Sequence, residues 1–240
     1  YILTAGREKG LLPQHPALVK TIVTSDLPRV IAEKNGCASF STFTGFKYMA
    51  EKVAQLEQEG KYRYVLAYEE SYGYMMGDFV RDKDAVTATL MLTEMAAWYA
   101  DQGMTLYDAL HSLYEKYGWY GEQTHNLVMP GLDGLEKMAA LMKELRENPP
   151  VQIAGVEVAV RKDYKDGSVT DAATGAKTTM ELSGSNVLRF ELADGTVILV
   201  RPSGTEPKVK LYLSARAGSM EAAARKNAAI QEAITARYLG

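Results

Sequence analysis

The chain has 240 residues, 47% hydrophobic and 24% charged, enough for a sizeable core in one or two domains. Its 27 lysines and arginines against 30 aspartates and glutamates leave a net charge of −3, without the basic excess of a nucleic-acid-binding protein, so any cationic site must be local. A single cysteine, Cys37, excludes an internal disulfide framework and a CxxC metal knuckle; with no apolar run near the ~18 residues of a membrane span and no signal-peptide pattern, the expectation is a soluble, cytoplasmic protein.

The first residues, Tyr1 to Thr4, lack a starting methionine and fall inside a helical pattern, which suggests a piece of something longer. LVKTIVTS (Leu18 to Ser25) is a β-rich run. It leads into DLPRVIAEKNG, where Asp26 suits an N-cap, Pro28 the first helical turn and Gly36 the C-terminal stop. CASFSTF reads as a second short strand, GFKYMAEKVAQLEQEG as an amphipathic helix ending at Gly60, and YRYVLAYE as a third strand. Strands and helices alternating at this spacing imply βαβ units and a parallel sheet, whose ligand crevice lies at the carboxyl ends of the strands. Two helices follow, Asp84 to Gln102 and Leu106 to Tyr117.

After YGWYGEQTHNLVMPG the pattern changes. One more helix, Leu132 to Glu147, is stopped by Asn148-Pro149-Pro150, and then come short strands with glycine-containing turns: GVEVAVRKDY, NVLRFELADGTVILV and KVKLYLSAR. ELADGTVI signals a hairpin, because Asp-Gly readily takes the positive φ angles of a tight turn. An Ala-rich helix runs from about Ser219 to Tyr238. The change of pattern places a domain boundary near Gly118.

Two stretches carry chemistry. In VRPSGTEPKVKLYL, Arg201 offers a planar five-donor fork, Ser203 and Thr205 offer hydroxyls, and Gly204 lets consecutive backbone N–H groups converge on one oxyanion. Lys208 and Lys210 add charge on one strand face while Val209 points the other way, and Glu206 must turn away or pair with a lysine. The stretch suits a phosphate dianion, and it also suits an ordinary polar turn. In YEESYGYMMGDFVRDKDAV, Glu69 and Ser71 share one side if the strand continues, Glu70 then faces away and holds the loop, and Gly73 and Gly77 suit a mobile segment over sugar hydroxyls, which carboxylates accept from in bidentate fashion. The same residues also suit an ordinary solvated loop, the default reading of a lone Glu-Glu-Ser. Asp82 and Asp84 fit a helix start, whereas Lys83 between them is not explained by capping. His15, His111 and His125 are scattered and show no metal-ligand spacing, so no metal site is expected.

TGFK (Thr44 to Lys47), EESYGY (Glu69 to Tyr74), RDKDAV (Arg81 to Val86) and RPSGTEPK (Arg201 to Lys208), in this order, resemble the third and fourth domains of the α-D-phosphohexomutases, with bacterial phosphoglucomutases nearest. The resemblance runs along nearly the whole chain. It implies an α/β fold: over 1–118 a three-layer αβα sandwich with a mixed, mostly parallel sheet, and over 119–240 an α+β domain with an antiparallel sheet and flanking helices. It further implies that Glu69 and Ser71 grip the sugar's ring hydroxyls, and that Gly45, Phe46 and Lys47 line the same cleft. Arg201, Ser203, Gly204 and Thr205, with Lys208 and Lys210 beside them, anchor the non-reacting phosphate. Lys83 either assists proton transfer at the reacting hydroxyl or stabilises the transferring phosphoryl charge.

In the family's reaction a phosphoserine of the first domain gives its phosphoryl group to a hexose phosphate. The resulting bisphosphate, glucose 1,6-bisphosphate for a glucose substrate, turns around and returns the other one, with magnesium held by the second domain. Neither the Thr-x-Ser-His-Asn nucleophile segment nor the Asp-Gly-Asp-x-Asp-Arg metal loop occurs in these 240 residues. The resemblance therefore implies the carboxy-terminal part of a phosphoglucomutase, inactive alone, whose partners are a hexose phosphate and the amino-terminal domains of its own chain. Phosphomannose or phosphopentose specificity, and a non-catalytic phosphosugar-binding module, are the alternatives.

Overall fold

The computed structural model describes residues 1–204 and 206–238. The chain divides into two compact units, Tyr1–Gly118 and a second from Trp119 onward.

The first unit runs α1 (Ile2–Glu8), β1 (Pro16–Thr21), α2 (Leu27–Lys34), β2 (Ala38–Thr42), α3 (Phe46–Glu59), β3 (Arg63–Glu69), β4 (Gly73–Met75), α4 (Ala85–Ala100) and α5 (Leu106–Tyr117). The sheet order is β2-β1-β3-β4. β1 lies parallel to β2 and β3, and β4 returns antiparallel to β3, so the sheet is mixed and mostly parallel. Every residue of β1 is buried because both faces are covered. Ala17 and Val19 meet Phe46, Met49, Val53 and Leu56 of α3 on one face, while Leu18 meets Ala32 of α2 and Cys37 on the other. These are three layers, α on β on α. Burial pushes the Cys37 thiol up to about 11, which makes it a small apolar side chain and not a nucleophile.

Two local expectations change. Asp26 precedes α2, but its backbone is already helical (φ −79°, ψ −10°), and its side chain makes no cap hydrogen bond. Its carboxylate is drawn instead to Lys20, 3.4 Å away, and Arg29 at 3.9 Å. Gly73, expected in a mobile loop, opens strand β4, paired with Glu69.

The second unit runs β5 (Trp119–Val128), α6 (Gly134–Glu147), β6 (Gln152–Ile153), β7 (Val156–Asp163), β8 (Ser168–Asp171), β9 (Lys177–Thr179), β10 (Leu188–Leu192), β11 (Val197–Pro202), β12 (Lys208–Ala217) and α7 (Met220–Tyr238). The sheet order is β5-β12-β11-β10-β7-β8-β9, with β6 beside β7, and its pairs are antiparallel. Leu141, Met142 and Leu145 of α6 and Ile230 and Ile234 of α7 close the core over Phe190, Ile198, Val200, Val209, Leu211 and Leu213. Asp194-Gly195 makes the β10–β11 turn, with Gly195 at φ 83° and Asp194 Oδ1 accepting from the Thr196 amide at 2.9 Å. Strand β5 packs against α7 where Gly121 faces Ala223; a Cβ on Gly121 would lie 2.6 Å from the Ala223 Cβ. Among the described residues no helix is long and apolar enough to cross a membrane.

Candidate functional site

In the first unit the chemistry gathers at the carboxyl end of β3. Glu69 is the last residue of that strand and pairs with Gly73, so the intervening turn holds only Glu70, Ser71 and Tyr72. Tyr72 takes a left-handed φ of 64° and is largely exposed. The Phe46 ring, from the first residue of α3, fills the space beneath this hairpin: a Cβ on Gly73 would lie 2.5 Å from Phe46 Cε2 and 2.9 Å from Glu69 Oε1. Gly73 is thus a contact point between a ring and a carboxylate. Gly45 leads into α3 at φ 119°, and Lys47 holds its ammonium 4.7 Å from the Tyr48 ring centroid.

Lys83 joins the group through the same Phe46 ring. Its Nζ stands 4.5 Å from the Phe46 ring centroid and 3.0 Å from Asp82 Oδ1. The segment around it is pinned at both ends. Arg81 Nη2 reaches both Glu57 oxygens at 2.9 Å, and Asp84 caps α4 through the Val86 amide at 3.0 Å and the Thr87 hydroxyl at 2.7 Å. Asp84 thereby titrates below the usual carboxylate range, chiefly through Thr87. Glu69 moves the other way: partial burial raises its pKa, the neighbouring Glu70 charge adds to this, and Lys83 offsets part of it.

Glu70 turns away from Glu69. Its Oε2 accepts from the hydroxyls of Thr21 and Thr24, each at 3.1 Å, and the Ser71 Oγ lies 3.5 Å from its other oxygen. Beneath the threonines, Lys20 is 1% exposed and donates to the carbonyls of Thr24 and Thr21 at 3.0 and 3.3 Å. Sequence reasoning passed over Lys20; the signal available was a lysine inside the otherwise apolar run LVKTIV.

In the second unit the donor-rich stretch is the turn between β11 and β12. Arg201 and Lys210 are directly opposed across the two strands, and Pro202 faces Val209. Val209 is fully buried, so Arg201, Lys208 and Lys210 share the other sheet face, which Asn126 of β5 extends opposite Lys210. The turn is closed by the Ser203 amide on the Lys208 carbonyl at 2.9 Å and the Lys208 amide on the Glu206 carbonyl at 2.7 Å. Glu206 pairs with the Lys208 ammonium, which holds its carboxyl below the ordinary range, with Lys210 adding a smaller effect. A Cβ on Gly204 would meet nothing within 4 Å, so the turn is open on that side. Thr205 lies outside the described residues. Among the described residues no three His, Cys, Asp or Glu side chains come together as a possible metal site.

Residues 1–117 match the family model for the phosphoglucomutase/phosphomannomutase alpha/beta/alpha domain III, and residues 126–233 match the model for that family's C-terminal domain. The chain is 35% identical over 213 residues to a phosphoglucomutase of Staphylococcus aureus, covering 89% of this chain and 38% of that protein. A phosphoglucomutase of Staphylococcus haemolyticus is 33% identical over 210 residues, covering 88% and 38%. Among solved structures, a putative phosphomannomutase from Thermus thermophilus shares the fold with a TM-score of 0.59 at 19% identity, over 99% of this chain and 39% of that one. Parafusin, a phosphoglucomutase from Paramecium in its open form, gives 0.57 at 20% identity, over 85% and 34%. The chain thus spans 38% of the length of the curated relatives it matches.

Proposed function

The chain belongs to the phosphoglucomutase/phosphomannomutase family, and on that premise we propose that it is the sugar-selecting and phosphate-anchoring part of a phosphoglucomutase, one that interconverts glucose 1-phosphate and glucose 6-phosphate in the cytoplasm through a bisphosphate intermediate. The observation that carries this reading is the placement of Glu69 at the carboxyl end of β3, packed against Phe46 and Gly73 and faced by Lys83. A carboxylate so placed accepts from two neighbouring sugar hydroxyls at once, and Ser71 adds one donor and acceptor beside it. Arg201, Ser203, Gly204 and Thr205, with Lys208 and Lys210, hold the phosphate that is not reacting; a guanidinium fork and an open turn suit a tetrahedral dianion.

Lys83 acts here as a cation. Its Nζ, 3.0 Å from Asp82 Oδ1 and 4.5 Å from the Phe46 ring centroid, supplies positive charge toward the developing phosphoryl charge. The phosphoserine and the magnesium site of the family's reaction belong, on this reading, to the family's first two domains, and hexose phosphate passes through glucose 1,6-bisphosphate between them and these two. The test is a coupled assay of this chain with magnesium, glucose 1-phosphate and glucose 1,6-bisphosphate. The expected result is no turnover by the chain alone and turnover when the first two domains of a relative are supplied. Turnover by the chain alone at ordinary enzyme rates of ~1–1,000 per second overturns the proposal.

A further inference from the structure

We infer that Glu70 is a positioning residue: through Thr21 and Thr24 it latches the β3–β4 hairpin to the turn after β1, and so fixes where Glu69 and Ser71 present their oxygens. The inference rests on the sugar-binding reading above and deepens it.

The hairpin needs such a latch. β4 has three residues at the edge of the sheet, the turn before it has an unfavourable left-handed Tyr72, and Ser71 and Tyr72 project into solvent. Strand β4 is mostly buried, but the turn 70–72 is exposed and has few buried contacts of its own, so it opens easily unless something ties it down. The tie runs from Glu70, on the exposed turn, to two buried groups. Thr21 and Thr24 are 0% and 6% exposed, their hydroxyl oxygens lie 2.8 Å apart, and both reach the same Glu70 oxygen. The Thr24 amide donates to Thr21 Oγ1 at 3.2 Å, which fixes the lower end of the latch to the backbone. Lys20, below, holds the carbonyls of the same two threonines and pairs with Asp26, so the turn that receives Glu70 is itself rigid.

The consequence is a division of labour among three consecutive residues. Glu69 and Ser71 face the ligand, while Glu70 between them faces the protein. Two charge-assisted hydrogen bonds hold the hairpin in the one position where its neighbours can act together.

Amide signals of the chain are followed by NMR during titration with glucose 1-phosphate and, separately, with inorganic phosphate. In the unsubstituted chain glucose 1-phosphate is expected to shift Glu69, Ser71 and Gly73, and inorganic phosphate to shift only the turn around Gly204. Glu70→Ala raises the glucose 1-phosphate Kd read at the hairpin by about 3- to 10-fold and leaves the inorganic-phosphate response at Gly204 unchanged. The double substitution Thr21→Val and Thr24→Val, which keeps side-chain shape, gives the same loss, whereas Glu70→Gln retains an oxygen toward the threonines and recovers most of the affinity. An unchanged hairpin Kd in both Glu70→Ala and the double variant overturns the latch while leaving the sugar-binding reading intact. A hairpin that fails to respond to glucose 1-phosphate even in the unsubstituted chain overturns that reading, and the latch with it.

Discussion

Arg201 and Lys210 stand directly opposite each other on the antiparallel strands β11 and β12. Like charges in that position repel, at a cost on the order of 0.2–1 kcal/mol, and an anion bound as we propose would relieve that repulsion. Inorganic phosphate is therefore expected to raise the thermal midpoint of the chain, and Arg201→Ala to remove most of that rise, since the guanidinium fork contributes about 1.5–3 kcal/mol to a charged acceptor. Differential scanning calorimetry with and without phosphate measures both. An equal rise in the variant and the parent would place the anion elsewhere.

Gly73→Ala tests the packing under the hairpin. The added methyl carbon would sit 2.5 Å from a Phe46 ring carbon and 2.9 Å from Glu69 Oε1, so ring and carboxylate must both move. Overpacking of this kind costs about 1–3 kcal/mol. The expected outcome is a lower urea midpoint together with a weaker hairpin response to glucose 1-phosphate. Loss of stability with the sugar response intact would show that the ring yields and Glu69 stays.

Glu69→Gln keeps the side chain's size but exchanges a two-oxygen acceptor for one acceptor and one donor, so paired sugar hydroxyls no longer both donate to it. Glucose 1-phosphate affinity should fall by about 1–3 kcal/mol while inorganic phosphate binds as before. Isothermal titration with the two ligands separates the cases. Equal affinity in the variant and the parent means the sugar rests on another group.

Acid should weaken the second unit through Glu191. Burial by itself would raise the pKa of this carboxyl, but Arg189 and Lys162, each with a nitrogen 2.7 Å from Oε1, outweigh burial and leave it below the ordinary value. A carboxyl whose folded pKa is depressed stabilises the fold above its unfolded pKa of ~4.3 and loses that contribution as pH falls through the folded value. Glu191→Gln should lower the thermal midpoint at pH 7 and flatten its decline below pH ~4.3. A variant curve parallel to the parent's through that range would assign the acid sensitivity to other carboxylates.

The parts of the fold legible in the sequence are those with a strong local cause. Helix α3 ends at Gly60 because the chain there takes a left-handed φ of 66°, and Asp194-Gly195 turns where an Asp-Gly pair should. Helix α5 begins after Thr105, whose hydroxyl and Asp108 cap each other reciprocally. Elements set by distant partners were not legible. β5 reads as a polar segment because its burial comes from β12 and α7, and β8 and β9 form a largely exposed ribbon without an apolar face to betray them. At the site, the motifs around Phe46, Glu69 and Lys83 were visible as strings. That one ring joins them, and that Gly73 is required by that ring, depends on where α3 lies against the sheet.

β5 is the first strand of its unit and β12 the last, yet the two lie side by side, and the 2.6 Å hydrogen bond from Ser214 to Glu122 joins residues 92 positions apart. At synthesis rates of ~5–20 residues per second, β5 emerges roughly 5–20 s before the strand that covers its edge exists. Pairing over such a separation is also slow once both strands are present, because the intervening chain must be confined first. Arg201 lies near the end of β11 and Lys210 near the start of the late strand β12, on either side of the turn. The facing pair Arg201 and Lys210, where we propose the phosphate rests, is therefore assembled at the end of the unit's folding, and a chain released or cut before residue 208 has a bare β5 edge and no Lys210 opposite Arg201.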